Sequence, residues 1–405
     1  MNRESTHVIP QRPAYGMGKD FRQQSTSAGA VALSIRNWAT VVALVALAFP
    51  TLLMSEIAGR VIFPHYIALA VIIPILTLTG QACWSTVKPI IPVLAMIFIS
   101  TLINITSTNL LVAGFHSLHL VAIALLAGCS GVLALRFAKF TILAYVAAIL
   151  LAQTSIVLGF ASWVEWLLVV KDGASALRVS AFATEPSYAA MIILVLTRFV
   201  ICFDIGWLSP PRFGLILAAL LATLSLFALI SAILLLAMYL NRRGDIRAMA
   251  IVVVGGSLLL FVSTSTDFFT GRLQALDFTR GAEGLGTGTV RLLPYIYMGQ
   301  ILPHNPLPLF FGAGAGALEA GFFHAMGRYA TVADFLSVHM AGPIYDYGLL
   351  AVIPIIFLWN RPRGNIDHGL FVLMTIAIIL NTGIGTYLFI IFGTFALLEQ
   401  RVRAS

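Results

Sequence analysis

Apolar runs long enough to cross a bilayer, each needing roughly 20 residues as a helix, recur from residue 37 to residue 398 and are interrupted at length only twice. Their polar and Gly/Pro breakers predict spans near residues 37–56, 62–80, 89–106, 110–134, 140–160, 187–206, 249–265 and 343–360. Two further stretches are longer and broken. The run from Phe213 to Leu240, about 42 Å as one helix, holds Thr223 and Ser225 near its middle. As one span it would carry Arg242, Arg243 and Arg247 outside; as a hairpin it returns them to the cytoplasm, as the positive-inside rule prefers. The stretch from Gly369 to Leu398 is broken by Asn381, Thr382, Gly383 and Gly385, and a hairpin there brings Arg401 and Arg403 back inside. The expectation is an all-α, polytopic transmembrane bundle of about twelve spans, some of them short hairpins. Both termini are then cytoplasmic, and two outer loops cover residues 161–186 and 266–342.

Composition supports a membrane domain filling residues 37–398. Of the 405 residues 60% are hydrophobic and 10% charged, outside the range of soluble globular domains. Residues 1–36 hold Arg3, Arg12, Lys19, Arg22 and Arg36 among Ser, Gln, Pro and Gly, with no cleavage site before the first span. They read as a disordered basic cytoplasmic tail rather than a cleaved signal peptide, and residues 399–405 as a C-terminal cytoplasmic tail. A net charge of +8 would point to nucleic acid in a soluble protein; beside helix ends it reports orientation instead, so no nucleic-acid partner is expected. Arg60, Lys171, Arg178, Arg272, Arg280, Arg291 and Arg328 fall outside in this threading. All but Arg60 lie in the long loops, which follow the rule poorly. Cys83, Cys129 and Cys202 show neither CxxC spacing nor a His at a ligand interval, so no disulfide, metal or cofactor is expected.

Chemistry is expected in the two loops. The first contains Glu165, Lys171, Asp172, Arg178 and Glu185 and runs Arg178-Val-Ser-Ala-Phe-Ala-Thr-Glu185-Pro186-Ser187-Tyr188 into the next helix. Proline suits a first helical turn and an acid there complements the helix dipole. Capping thus explains Glu185 and Pro186, but not Arg178. The second loop is too long for a passive connection. It contains Gly284-Leu-Gly-Thr-Gly-Thr-Val-Arg291, then Tyr295 and Tyr297, His304, Gly312-Ala-Gly-Ala-Gly316, His324 and His339, with Tyr345 and Asp346 heading the next span. The first glycine run lacks a GK[ST] ending and a preceding strand, which argues against a nucleotide site. Arginine binds phosphates through a fork that stays charged, so Arg178, Arg280 and Arg291 are candidate pyrophosphate ligands, unless they pair with Asp277, Glu283 or lipid headgroups. Histidine is the natural candidate base, and His339 stands out because it precedes a membrane re-entry beside Asp346. His65, His116 and His119 mark a candidate intramembrane polar pathway, although the helix spacing of the last two also suits plain packing.

In their order these features resemble the Wzy and O-antigen ligase superfamily of bacterial polysaccharide polymerases and ligases. The residues that carry the resemblance are Arg178 with Glu185-Pro-Ser187, the Leu-Leu-Ala-Thr-Leu-Ser run ending at Ser225, and Gly286-Thr-Gly-Thr-Val-Arg291. Phe311-Gly-Ala-Gly-Ala-Gly316 and His339 ahead of Tyr345-Asp-Tyr-Gly348 complete it. Family members often carry Arg where this chain has Leu226 and Asn where it has Met340. The resemblance implies a metal-independent glycosyltransferase at the outer face of the bacterial inner membrane. It would move a growing glycan from undecaprenyl pyrophosphate onto the next lipid-linked repeat unit. It implies Glu185 or His339 as base or acceptor-orienting group, with Asp346 as a third catalytic candidate. Arg178 and Arg291 would hold pyrophosphate, and Arg280, Tyr295 and His304 would also bind substrate. The implied partners are the undecaprenyl-pyrophosphate-linked oligosaccharide, membrane lipid, and a chain-length regulator and flippase of the same pathway.

Ligation to another acceptor uses the same donor chemistry. A lipid-linked oligosaccharide flippase is the alternative of a different class; Arg198 and Asp204, lying within an apolar segment, would serve it, whereas snorkelling toward the cytoplasmic interface explains Arg198 otherwise.

Overall fold

The computed structural model describes residues 27–51, 55–57, 60–62, 64–106, 108–169, 178–245, 247–248, 251–252, 254–256, 294–295, 297–304, 306–325, 340–350, 365–384 and 386–404. These form an all-helical bundle with two small antiparallel ribbons. The longer helices are α1 (Ser27–Ala48), α2 (Pro64–Leu78), α4 (Ile91–Ile103), α5 (Leu110–Leu126), α6 (Gly131–Val157), α7 (Pro186–Phe203), α8 (Pro210–Ala222) and α9 (Leu226–Arg243). A one-turn α3 (Trp84–Val87) precedes α4. The short α10 (Leu307–Phe311), α11 (Ala317–Ala325) and α12 (Ala341–Tyr347) come before α13 (Asn365–Asn381) and α14 (Tyr387–Ala404). Strands β1 (Ser55–Ile57) and β2 (Arg60–Ile62) pair antiparallel, as do β3 (Leu168–Val169) and β4 (Arg178–Val179).

Among the described residues three helices, Val31–Ala48 within α1, α6 and α7, are long and apolar enough to cross a membrane. Small residues let them approach closely, which lipid-embedded helices need because burial from lipid offers no hydrophobic gain. On α6 the buried stripe is Ala134, Ala138, Ile142, Tyr145, Ile149 and Ala152, a helical period that packs on α7. Outward-facing Phe140, Leu143 and Leu151 stay exposed, as suits a surface in contact with acyl chains. Near one end, the Tyr145 hydroxyl donates to the Ala48 carbonyl at 2.5 Å.

Both broken apolar runs fold back as hairpins. The chain turns at Thr223, Leu224 (φ 51°) and Ser225, and the stacked rings of Phe213 and Tyr239, 4.1 Å apart, bring the start of α8 beside the end of α9. Tyr239 also donates to the Leu208 carbonyl at 3.2 Å. In the second hairpin, Arg198 lies over the ring of Phe371 near the start of α13 and pairs with Glu399 near the end of α14, so these helices are antiparallel as well. Helices of 13 residues such as α4 and α8 rise only about 20 Å, short of the roughly 30 Å hydrocarbon core.

Three boundaries and the surroundings of one arginine differ from the sequence expectation. Helix α1 begins at Ser27, inside the predicted tail. The break predicted at residues 135–139 occurs instead at residues 127–130, where the Ser130 hydroxyl caps α6 by accepting from the Leu133 N–H. Arg136 and Lys139 are thus helical, and Lys139 pairs with Asp204. The predicted span 343–360 is interrupted at Gly348 (φ 77°). Arg198 does not snorkel: it is buried and paired with Glu399 at 2.9 Å, because α14 brings an acid alongside α7.

The ends of the bundle are chemically distinct. At one, Arg401 donates to the carbonyls of Gly128 and Cys129, Arg242 to that of Cys202, and Gln81 links Thr40 to the Leu125 carbonyl. At the other lie the glycine-rich turn, the end of α4 and the starts of α5, α7 and α14.

Candidate functional site

At the end opposite the arginines, the glycine-rich turn and the Tyr345-Asp-Tyr-Gly348 run cross backbone to backbone. Ala313 N–H donates to the Tyr345 carbonyl at 2.9 Å and Gly314 N–H to that of Asp346 at 3.0 Å. The Ser100 hydroxyl at the end of α4 also donates to the Asp346 carbonyl, and Asn109 N–H at the start of α5 donates to that of Ala315. Glycine is required here: a Cβ on Gly312 would lie 2.6 Å from both the Ser100 hydroxyl and the Tyr347 Cα, with φ at +79°.

The Asp346 side chain is fully buried and accepts from the N–H groups of Gly316 (2.7 Å) and Leu318 (3.1 Å). Glu319, one turn into α11 and equally buried, hydrogen-bonds to it. Burial pushes the Glu319 carboxyl up to about 7, and the two buried acids hold a proton between them. A carboxyl held above its ordinary 4.5 favours the folded state most while it is neutral. Its contribution is complete below that value and is lost as pH rises through about 7. Thermal stability in detergent is therefore expected to fall between pH 5 and pH 8 more in wild type than in Glu319→Gln. Equal slopes would refute the shared proton.

A buried polar track leads from this pair into the bundle. The Tyr347 hydroxyl is 2.7 Å from His116 Nδ1. One turn along α5, His119 Nδ1 donates to the Ile384 carbonyl at 3.0 Å, while its Nε2 is buried with no hydrogen-bond partner among the described residues. Its ring lies 6.5 Å from that of His65, which lies 5.5 Å from Tyr387. The Tyr387 hydroxyl reaches the Thr184 hydroxyl at 3.2 Å, and Glu185 follows. Glu185 is half-buried at the head of α7, with Pro186 in the first helical position. Its carboxylate does not cap the helix; it accepts from the Ser187 hydroxyl at 3.2 Å.

Two of the three proposed catalytic residues, Glu185 and Asp346, thus stand at opposite ends of one track. Asp346 itself is fully buried, with both carboxylate oxygens accepting from backbone N–H groups. Tyr295 packs with Tyr297 and Tyr345 against Leu318 and Ala341, beside the carboxyl pair. His304 is exposed in the turn after residue 301. Arg178 lies in β4, where its backbone pairs with Val169. Its side chain, and all of Arg280, Arg291 and His339, lie outside the described residues. Glu319 was missed in sequence, where one acid in a long loop gives no sign that it meets another 27 positions later. No protein-family model, curated protein or solved structure matches this chain.

Proposed function

We propose that the chain is a polysaccharide polymerase, a metal-independent glycosyltransferase acting at the outer face of the bacterial inner membrane. It would pass a growing glycan from its undecaprenyl pyrophosphate carrier to the next lipid-linked unit. The reading includes a bundle of about twelve spans with both termini cytoplasmic. The observation that carries it is the meeting, at the end away from the arginine cluster, of features the resemblance took from separate parts of the sequence. The glycine turn locks onto Asp346, and the same end presents Glu185 at the head of α7.

The chemistry asks little of the protein. The donor is already activated, so the sugar–oxygen bond to pyrophosphate breaks as the acceptor hydroxyl attacks, and polyprenyl pyrophosphate departs. Glu185, half-buried at the head of α7, takes the acceptor's proton; arginines stabilise the departing charge. Purified protein given short-chain lipid-linked repeat units is expected to produce a ladder of lengthened products on a gel. Removing a general base costs about 10²–10⁴-fold in rate, so Glu185→Gln should all but abolish the ladder, as should Arg178→Ala and Arg291→Ala. A full ladder from Glu185→Gln would remove Glu185 from the chemistry.

One observation favours a flippase instead. Arg198, Glu399 and Arg403 form an ion-paired cluster within the helices, and intramembrane charges often mark transport paths. Substrate left intact but carried across a vesicle membrane would establish that reading in place of polymerisation.

A further inference from the structure

Tyr295 and Tyr297, in the helical stretch before residue 301, pack with Tyr345 of α12 around Leu318 of α11 and Ala341 of α12. All three rings are half-buried, each keeping part of its surface open. Directly behind Leu318 in sequence is Glu319, 2% exposed, whose Oε2 is buried with no hydrogen-bond partner among the described residues. A buried carboxyl oxygen without a partner is costly, and it is retained here one residue from Leu318, against which the three tyrosines pack. Gly321 leaves room for one of them: a Cβ there would stand 3.0 Å from the Tyr297 hydroxyl.

This combination suits one ligand chemistry. A pyranose offers a flat apolar C–H face and a rim of hydroxyls. Tyrosine supplies an apolar ring face and a polar handle at small entropic cost, and a carboxyl group supplies acceptors and, when protonated, a donor. We propose that Tyr295, Tyr297, Tyr345 and Glu319 form a glycan subsite for uncharged sugar rings. Uronic acids are excluded, because their carboxylates would face the Glu319–Asp346 pair, and like charges in a desolvated site repel strongly. The subsite rests on the reading that this end of the bundle handles glycans, and it adds which part of the substrate binds here.

The test uses the full chain in nanodiscs and soluble probes, namely neutral trisaccharides of glucose, galactose, mannose and N-acetylglucosamine, with trigalacturonate as the charged comparison. Saturation-transfer NMR is expected to show contact from at least one neutral probe and none from trigalacturonate. Losing a hydrogen bond to a buried polar group costs enough to weaken binding roughly tenfold, so Glu319→Gln and Tyr345→Ala should each do so. Tyr345 is only half-buried, so its variant keeps the proposal testable if Glu319→Gln misfolds. No signal from any neutral probe, binding unchanged in Tyr345→Ala, or trigalacturonate binding as well as the neutral probes would overturn the subsite. Sugar binding is read without carrier or turnover. Retained binding with no polymer ladder would therefore sink the proposed reaction alone, and a ladder with sugar binding unchanged in both variants would sink the subsite alone.

Discussion

Gly348→Ala is expected to detach the glycine turn from the bundle and to abolish a stable, monodisperse protein in mild detergent. Gly348 has φ +77°, a region costing a residue with a Cβ roughly 1–2 kcal/mol. The added Cβ would also sit 2.8 Å from the Phe311 nitrogen and closer still to the Phe310 carbonyl. Those neighbours are backbone, and Ala313 and Gly314 fasten the same crossing, so no side chain can swing away to relieve the overlap. The combined cost is on the order of 3–5 kcal/mol, comparable with severe overpacking added to backbone strain. Gly369→Ala is the control, since its added Cβ would meet nothing within 4 Å. Fluorescence-detected size exclusion before and after a heat step measures both. A Gly348→Ala protein as heat-resistant as Gly369→Ala would disprove the tight crossing, and with it the docking of Asp346.

The second large effect is expected at the arginine-rich end. Glu399 accepts from Arg198 at 2.9 Å and from Arg403 at 2.6 Å. Arg198 additionally lies over the Phe371 ring at 4.3 Å. Removing one partner of a buried pair leaves an uncompensated charge and costs about 3–5 kcal/mol. Glu399→Gln should sit at the upper end of that range, because it strands a buried arginine with a second cation close by. Arg198→Met should cost less, since Glu399 keeps Arg403. The double variant Arg198→Met with Glu399→Leu is expected to recover most of the loss, as an apolar replacement of similar volume often equals a buried ion pair. Arg403, about a quarter exposed in its side chain, can then turn to solvent. Thermal midpoints in one detergent decide the order. If the double variant is no more stable than Glu399→Gln alone, the cluster does more than neutralise charge, and a transport role gains weight.

These two sites mark where reading the chain succeeded and where it stopped. The hairpins at Thr223–Ser225 and after Asn381 were legible because the breakers and the flanking arginines are local signals. The glycine turn and the Tyr345-Asp-Tyr-Gly348 run were legible as separate pieces. Their contact was not, nor was the burial of Asp346 against the Gly316 and Leu318 N–H groups. Arg198 failed the same way: from its own segment it looked like a cation reaching for the interface, and its acid is 201 residues away.

The sequence by itself determined the apolar, membrane-associated character, the helical class and the two hairpins. Those follow from apolar run length, breakers and charge, all properties of neighbouring residues. Only the tertiary structure decided the Glu319–Asp346 pair, the Tyr347–His116 bond across 231 positions and the gathering of three tyrosines around Leu318. Each needs distant segments to meet, and a carboxylate or hydroxyl takes its proton, partner and accessibility from what packs on it, not from its place in the chain.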